Sequence, residues 1–412
     1  MSEYPEDTAA AVDEKTGTQR ALEVYTPQTR RSGMALCLSG GGFRASLFHL
    51  GALRRLNETG ILKQANVFSS VSGGSILAGY VARCLKESGE KVYTDWETTV
   101  AAPFRRFTSK NIRTLPILNR LFPWNWFNTS AGVRALAARY ARDLISLRLK
   151  DLPEEKNFIF CATDMAYGVN WIFERTRTGD YEAGYATPPD DWLAARAIAA
   201  SSCFPPVFNP LPIEIDPSRL KGGKDQSESR DERIRGLRLT DGGNYDNLGL
   251  EPVWKTSEYV LVSDGGAIFD FEPDKGLFYR LSRYTQIQGK QSSALRKRWL
   301  ISGFINKSFK GAYWGIGSAV KHYDGDSSAY SEALVDEVIR KVRTDLDAFS
   351  EAEICVLENH GYLLATAAVS RHLKDIVDQP SGAEVPHPEW MDEKKVREYM
   401  KDSSKRKLLG RW

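Results

Sequence analysis

Val67-Phe68-Ser69-Ser70-Val71-Ser72-Gly73-Gly74-Ser75 runs from an apolar, β-favouring segment through a serine into paired glycines, and residues 76–85 beyond it repeat apolar side chains at helical spacing. A strand that ends on a serine at a sharp turn and re-emerges as a helix has the layout of a nucleophile elbow, which holds a hydroxyl exposed at the edge of a sheet. Helix and strand pack closely across such a turn, so small residues are needed around it; Ser70, Gly73 and Gly74 supply them. Ser69, Ser70 and Ser75 are rival nucleophiles by composition, but only Ser72 sits at the turn centre. A plain strand–turn–helix connection is the alternative reading.

Working outward, short continuous apolar runs recur at Met34–Leu38, 158–162, 237–239, 259–262 and 354–357. Runs of this kind read as strands buried on both faces. Helix-period segments at 47–56, 133–147, 191–200 and 332–349 lie between several of them. Strands alternating with helices predict a mostly parallel sheet covered on both sides. No internal repeat and no second alternating block is found. Residues 217–235 are almost free of large apolar side chains and are expected as a mobile surface loop. Residues 96–130 carry an aromatic and basic cluster that includes Trp124, Trp126 and Phe127, expected either as a cap over a cleft or as an interfacial insertion.

Two further loops bear on chemistry. Ser39-Gly40-Gly41-Gly42-Phe43-Arg44 follows the first strand and precedes a helix. Consecutive glycines at a helix N-terminus leave amides free to hold a phosphate or an oxyanion, although neither phosphate-loop pattern is present and a simple tight turn remains possible. Thr240-Asp241-Gly242-Gly243-Asn244 places a carboxylate at the end of another strand, at the sheet edge where ligands bind. An aspartate within reach of a serine hydroxyl can take its proton directly. Ser263-Asp264-Gly265-Gly266 competes for that role and is read as a turn aspartate. Of the five histidines only His360 could complete a triad, and a polar residue capping the last helix is the preferred reading for it.

The chain has 412 residues, Lys+Arg 56 against Asp+Glu 53, and a formal charge of +3. That balance argues against a dedicated nucleic-acid binder, which needs a strongly basic surface. The five cysteines are scattered without metal-ligand spacing and are expected as reduced, mostly buried thiols. Residues 1–30 hold no apolar run and read as a flexible segment, neither signal peptide nor anchor, and no apolar stretch approaches the ~20 residues that span a bilayer. The expectation is a cytoplasmic protein whose membrane contact, if any, is peripheral.

Gly40-Gly41-Gly42-Phe43-Arg44, the elbow Ser70-Val71-Ser72-Gly73-Gly74 and Asp241-Gly242-Gly243, in this order, resemble the patatin-like phospholipase family. The resemblance extends to Ala162-Thr163-Asp164 and to the stretch Ala195-Arg196-Ala197-Ile198-Ala199-Ala200-Ser201-Ser202-Cys203-Phe204-Pro205-Pro206. It implies a three-layer α/β/α sandwich and a Ser–Asp dyad that hydrolyses acyl esters of lipids with no metal or organic cofactor. By position, Ser72 is the implied nucleophile and Asp241 the base; Gly40, Gly41, Gly42 and Gly73 form the oxyanion hole, supported by Arg44, Gly74, Gly242 and Gly243. Ser70 stands where the elbow's first glycine is usual, and Ala45 where a glycine is common. One catalytic domain over 31–380, with insertions at about 96–130 and 217–235 and a tail at 381–412, is the implied organisation. The implied activity is of phospholipase A or lysophospholipase type; an acyltransferase, a general esterase or a non-catalytic lipid-binding scaffold are the alternatives.

Residues 276–310 contain eight Lys and Arg and no Asp or Glu, interleaved with Phe278, Tyr279, Tyr284, Trp299, Phe304 and Phe309. Such a segment suits an anionic membrane surface, where each nearby cation contributes roughly 1 kcal/mol. A solvated or internally paired basic helix is the competing reading, and nucleic acid has no motif to support it.

Overall fold

The computed structural model describes residues 31–411 apart from 120–124, 126–127, 270–272, 274–275, 324–328 and 380–381. The cluster Trp124, Trp126 and Phe127 and the segment 1–30 therefore lie outside the described residues, as do the side chains of Phe278 and Tyr279. Among the described residues ten strands make one sheet: β1 (Met34–Leu38), β2 (Val67–Val71), β3 (Asn157–Asp164), β4 (Asn170–Phe173), β5 (Thr178–Asp180), β6 (Gly184–Ala186), β7 (Leu211–Pro212), β8 (Arg238–Asp241), β9 (Tyr259–Asp264) and β10 (Lys310–Gly315). Their order is β10-β9-β1-β2-β3-β4-β5-β6, with β8 also on β3 and β7 on β8. The five strands from β10 to β3 are parallel, and every pairing beyond β3 is antiparallel.

The alternation of β1 shows how the layers form. Met34, Leu36 and Leu38 face the larger core, under helices α1 (Gly42–Glu58), α2 (Gly73–Ser88), α3 (Ala131–Asp143) and α4 (Ala194–Ser202). Ala35 and Cys37 face a smaller core on the other side, closed by Leu248, Leu250 and Val253 and, beyond the short helix α5 (Gly243–Asp246), by Leu300 of α6 (Leu277–Ile305). Helices on both faces of a mostly parallel sheet make the predicted three-layer α/β/α architecture. All five cysteines are free and buried.

Several sequence expectations are corrected. Residues 354–357 are not a strand: after the short helix α7 (Glu332–Glu337), they lie inside α8 (Glu351–His372), which opens on a Ser350/Glu353 capping box. A helix buried all round carries the same continuous apolar run as a buried strand, and only its length separates the two. The helix expected over 332–349 stops at Glu337; after a single 3-10 turn, residues 342–348 are irregular because their side chains and carbonyls bond outward to other elements. The Asp241 strand runs antiparallel to β3, not parallel. The segment 217–235 is not a bare loop: it forms the helix Arg230–Arg235, Lys221 bridges Tyr185, and Arg230 donates to the Ala183 and Leu220 carbonyls. The stretch expected as a tail places Trp390, Val396 and Met400 in the main core.

Candidate active site

The elbow begins with the edge that β2 gives up. Val71 pairs with Cys161 of β3 and Asp241 with Ala162, so β8 takes over the same edge of β3 one residue after β2 leaves it. Ser72 follows Val71 directly, so the handover brings its side chain up to the Asp241 carboxyl, whose pKa it lowers. Sheet topology thus closes a gap of well over a hundred residues.

Ser72 has φ 49°, in the left-handed region where a non-glycine residue is strained. What holds it there is specific. Its amide donates to Ser201 Oγ at 2.9 Å, and the Gly242 amide donates to the Ser201 carbonyl at 3.3 Å, so one residue of α4 ties the elbow to the aspartate loop. Ser201 Oγ also bonds Ser75 Oγ at 2.9 Å. The rival serines are spent inside the core: Ser69 donates to the Gly249 carbonyl, Ser70 to the Ile159 carbonyl and Ser75 to Ser70 Oγ. Ser70 fits the glycine position of the elbow through that bond across to β3. Ala45 fits where a glycine is common because Gly265 leaves room for it: a Cβ on Gly265 would lie 2.6 Å from Ala45 Cα.

The glycine loop abuts the elbow. A Cβ on Gly73 would lie 2.1 Å from the Gly42 carbonyl oxygen, and one on Gly74 2.2 Å from that of Leu38, so the two helix starts approach closely only because both positions are glycine. Ser46 Oγ donates to the Gly73 carbonyl at 2.7 Å and locks the pair together. Among the amides here, Gly40 donates to Asn247 O, Phe43 to Asp345 O and Gly74 to Ser39 O. The amides of Gly42 and Gly73 begin α1 and α2, where no carbonyl of the same helix can reach them. The Gly41 amide likewise donates to no acceptor among the described residues.

Asp241 is buried; its Oδ1 accepts the Gly243 amide at 2.8 Å. Burial raises its pKa to about 6, with the Gly243 and Ser72 hydrogen bonds pulling the other way. Gly242 and Gly243 are where they must be: side chains there would strike the Cys161 carbonyl and Asn247 Oδ1. Arg44 is turned away from the loop amides. Its guanidinium donates to the Gly265 and Val342 carbonyls and is fully enclosed, so its support is structural.

Neither His360 nor His49 is hydrogen-bonded to Ser72 or Asp241. His360 is buried mid-way along α8, bonded to the Ile316 carbonyl, and burial pushes its pKa down to about 4; it is not a helix cap. His49 bridges Ser263 Oγ and the Ser39 carbonyl and is likewise pushed down to about 4 by burial. Both rings stay neutral near pH 7. Among the described residues one group could supply three metal donors within 4.8 Å of one another: Cys355, His387 and Glu389, on α8 and the segment 387–389 and outside the three loops. Sequence reasoning missed Ser201, Asn247 and Asp345 as organisers of the corner. Their signal is weak, since Ser201 sits in an alanine-rich helix like any small core residue.

A family profile described as Patatin-like phospholipase matches residues 36–254, just over half of the chain and the whole of the three-loop corner. The chain belongs to the patatin-like phospholipase family. Membership makes this patatin-like protein a hydrolase, and in general terms a lipid acyl hydrolase with phospholipid as the substrate class. Among solved structures it is similar to VipD from Legionella pneumophila, with 14% identity over 84% of this chain and 68% of that chain at a TM-score of 0.35. It is also similar to human GIVD cytosolic phospholipase A2, with 13% identity over 88% of this chain and 62% of that chain at a TM-score of 0.48. No curated protein matches significantly. None of the helices among the described residues is long and apolar enough to cross a membrane.

Proposed function

We propose that the protein is a serine hydrolase of phospholipase A or lysophospholipase type that works through a Ser72–Asp241 dyad. The observation that carries this is the handover on β3, which sets the strained Ser72 beside a buried carboxyl. A base with a pKa of about 6 is ionised at neutral pH and still basic enough to accept a proton as the hydroxyl attacks. Asp241 takes the Ser72 proton, Ser72 Oγ adds to the ester carbonyl, and the oxyanion forms against the amides of Gly41, Gly42 and Gly73. Collapse of the adduct breaks the ester C–O bond and the leaving alcohol or lysolipid takes the proton. Water then gives a proton to Asp241 as it attacks the acyl-serine; collapse breaks the bond from the acyl carbon to Ser72 Oγ, Ser72 takes the proton back from Asp241, and the fatty acid leaves. The Gly40 amide, committed to Asn247, is left out of the donor set.

Mass spectrometry of a defined phospholipid mixture tests the assignment. Wild type releases free fatty acid and Ser72→Ala releases none; undiminished release by the variant would sink it. Acyl product appearing on an added acceptor alcohol, at the expense of free acid, would instead mark an acyltransferase.

The route to lipid runs over α6. Its Arg296 pairs with Glu251 and its Lys297 with Asp264, so two of the three adjacent basic residues face inward to the site loops. Outward, Leu277, Tyr284, Leu295 and Ile305 are exposed at helical spacing, beside exposed Arg298. An apolar stripe flanked by cations and free of acidic residues fits an anionic lipid surface. Leu295→Asp with Arg298→Glu is expected to cut binding to phosphatidylserine-containing liposomes at least fivefold and leave turnover of a soluble ester unchanged. Unchanged liposome binding would remove α6 as the docking face.

A further inference from the structure

The family match ends at residue 254, yet the back of the glycine loop is built from residues far beyond it. The Phe43 amide donates to the Asp345 carbonyl at 2.9 Å, and a Cβ on Gly42 would lie 2.6 Å from that same oxygen. Arg44 donates to the Val342 carbonyl at 2.8 Å. Residues 342–347 are thus a wall against which the loop is set. This wall has no helix or strand of its own, so its polar groups must be satisfied from outside.

Residues 402–411 satisfy three of them, the Arg343 amide, the Thr344 carbonyl and the Asp347 carboxylate. The Arg343 amide donates to the Ser403 carbonyl, Arg406 donates to the Thr344 carbonyl, and the Arg411 amide donates to Asp347. Arg113 links the two layers, pairing with the Asp345 carboxylate at 2.5 Å while donating to the Lys407 carbonyl at 2.7 Å. Beneath them the fully buried Arg343 holds Asp347 and Glu353, and Arg411 reaches the same Glu353.

We propose that residues 402–411 are a strap that positions the oxyanion loop: it fixes residues 342–347, which fix the amide directions of Gly41 and Gly42. The inference rests on the oxyanion role given to those two glycines above. Oxyanion donors act through preorganised direction, and removing one costs about 10²–10³ in rate, so a loop that loses its wall loses turnover more than substrate binding.

The test compares the full chain with a chain ending at Lys401, and with full-length Arg406→Ala/Arg411→Ala, in hydrolysis of a soluble thioester. The shortened chain is expected to lose at least tenfold in kcat with KM within twofold, and a synthetic peptide of residues 402–412 added in trans restores it. The double substitution is expected to lose threefold to tenfold in kcat with its thermal melt retained. It decides the matter where the shortened chain does not fold. Wild-type kcat in a folded strap variant overturns the proposal. Turnover that is indifferent to Ser72→Ala would sink the underlying reading instead, so the two failures are distinguishable.

Discussion

Strands β8 and β9 both end in an aspartate followed by two glycines, Asp241-Gly242-Gly243 and Asp264-Gly265-Gly266, yet the two carboxyls live under opposite electrostatic conditions. Asp264 accepts from Lys297 at 2.5 Å, from the Tyr313 hydroxyl at 2.7 Å and from the Gly266 amide at 2.9 Å. Although burial pushes its pKa up, Lys297 and these hydrogen bonds outweigh it and hold the pKa below the usual carboxylate value. Asp241 has one amide and the Ser72 side chain, with no cation, and burial wins. Two identical tripeptides thus yield a saturated structural anion and an under-solvated carboxyl.

Exchanging each carboxylate for its amide breaks this contrast most sharply. Asp241→Asn is expected to lower fatty-acid release by about 10³-fold, because an amide cannot take the serine proton. Asp264→Asn should keep turnover within about tenfold, since its partners lie on α6 and β10 rather than on Ser72. Equal losses in assays of the two variants would mean that the dyad has been assigned to the wrong loop.

Stability should move the other way. The folded-state pKa of Asp241 stands above its unfolded value, so between pH 3.8 and about 6 the native chain holds a proton that the unfolded chain has released. Stability from this group is therefore present below that window and lost across it, by about 3 kcal/mol. Asp241→Asn is expected to melt higher than wild type at pH 8 and equally at pH 4. Asp264→Asn instead strands Lys297 and should cost about 2 kcal/mol, less than a fully buried pair because that ammonium reaches solvent. Thermal melts at the two pH values check both signs.

The smallest effect is the pH profile of wild-type kcat/KM. It should rise with unit slope through about 6 and stay flat to pH 8, since the buried imidazoles of His49 and His360 have already lost their protons near 4. A second inflection near neutrality would point to an imidazole in the mechanism.

Much of the candidate site is legible in the sequence. Ser72, Asp241 and the glycine run announce themselves because an elbow and a close backbone approach each demand residue types that few other situations require. The edge strands β4 to β6 and β10 were not legible, being short and rich in polar or glycine residues such as Asn170, Thr178, Gly184 and Gly311. Residues 354–357 were misread because apolar runs do not distinguish a wholly buried helix from a buried strand. The basic triad at 296–298 looked uniform, and the fold divides it: Arg296 and Lys297 pin loops inward while Arg298 faces out.

By itself the sequence determined the layered α/β architecture and the three loops, since apolar period, glycine placement and a serine at a turn are local properties. Only the tertiary structure decided which aspartate is starved of partners, which amides are left over, and that residues 342–347 and 402–411 stand behind the glycine loop. Those outcomes depend on partners distant in sequence, from a few tens of residues for Lys297 and Asp264, through Ala162 and Asp241, to about three hundred for Asp345 and Phe43, and no local pattern encodes the meeting.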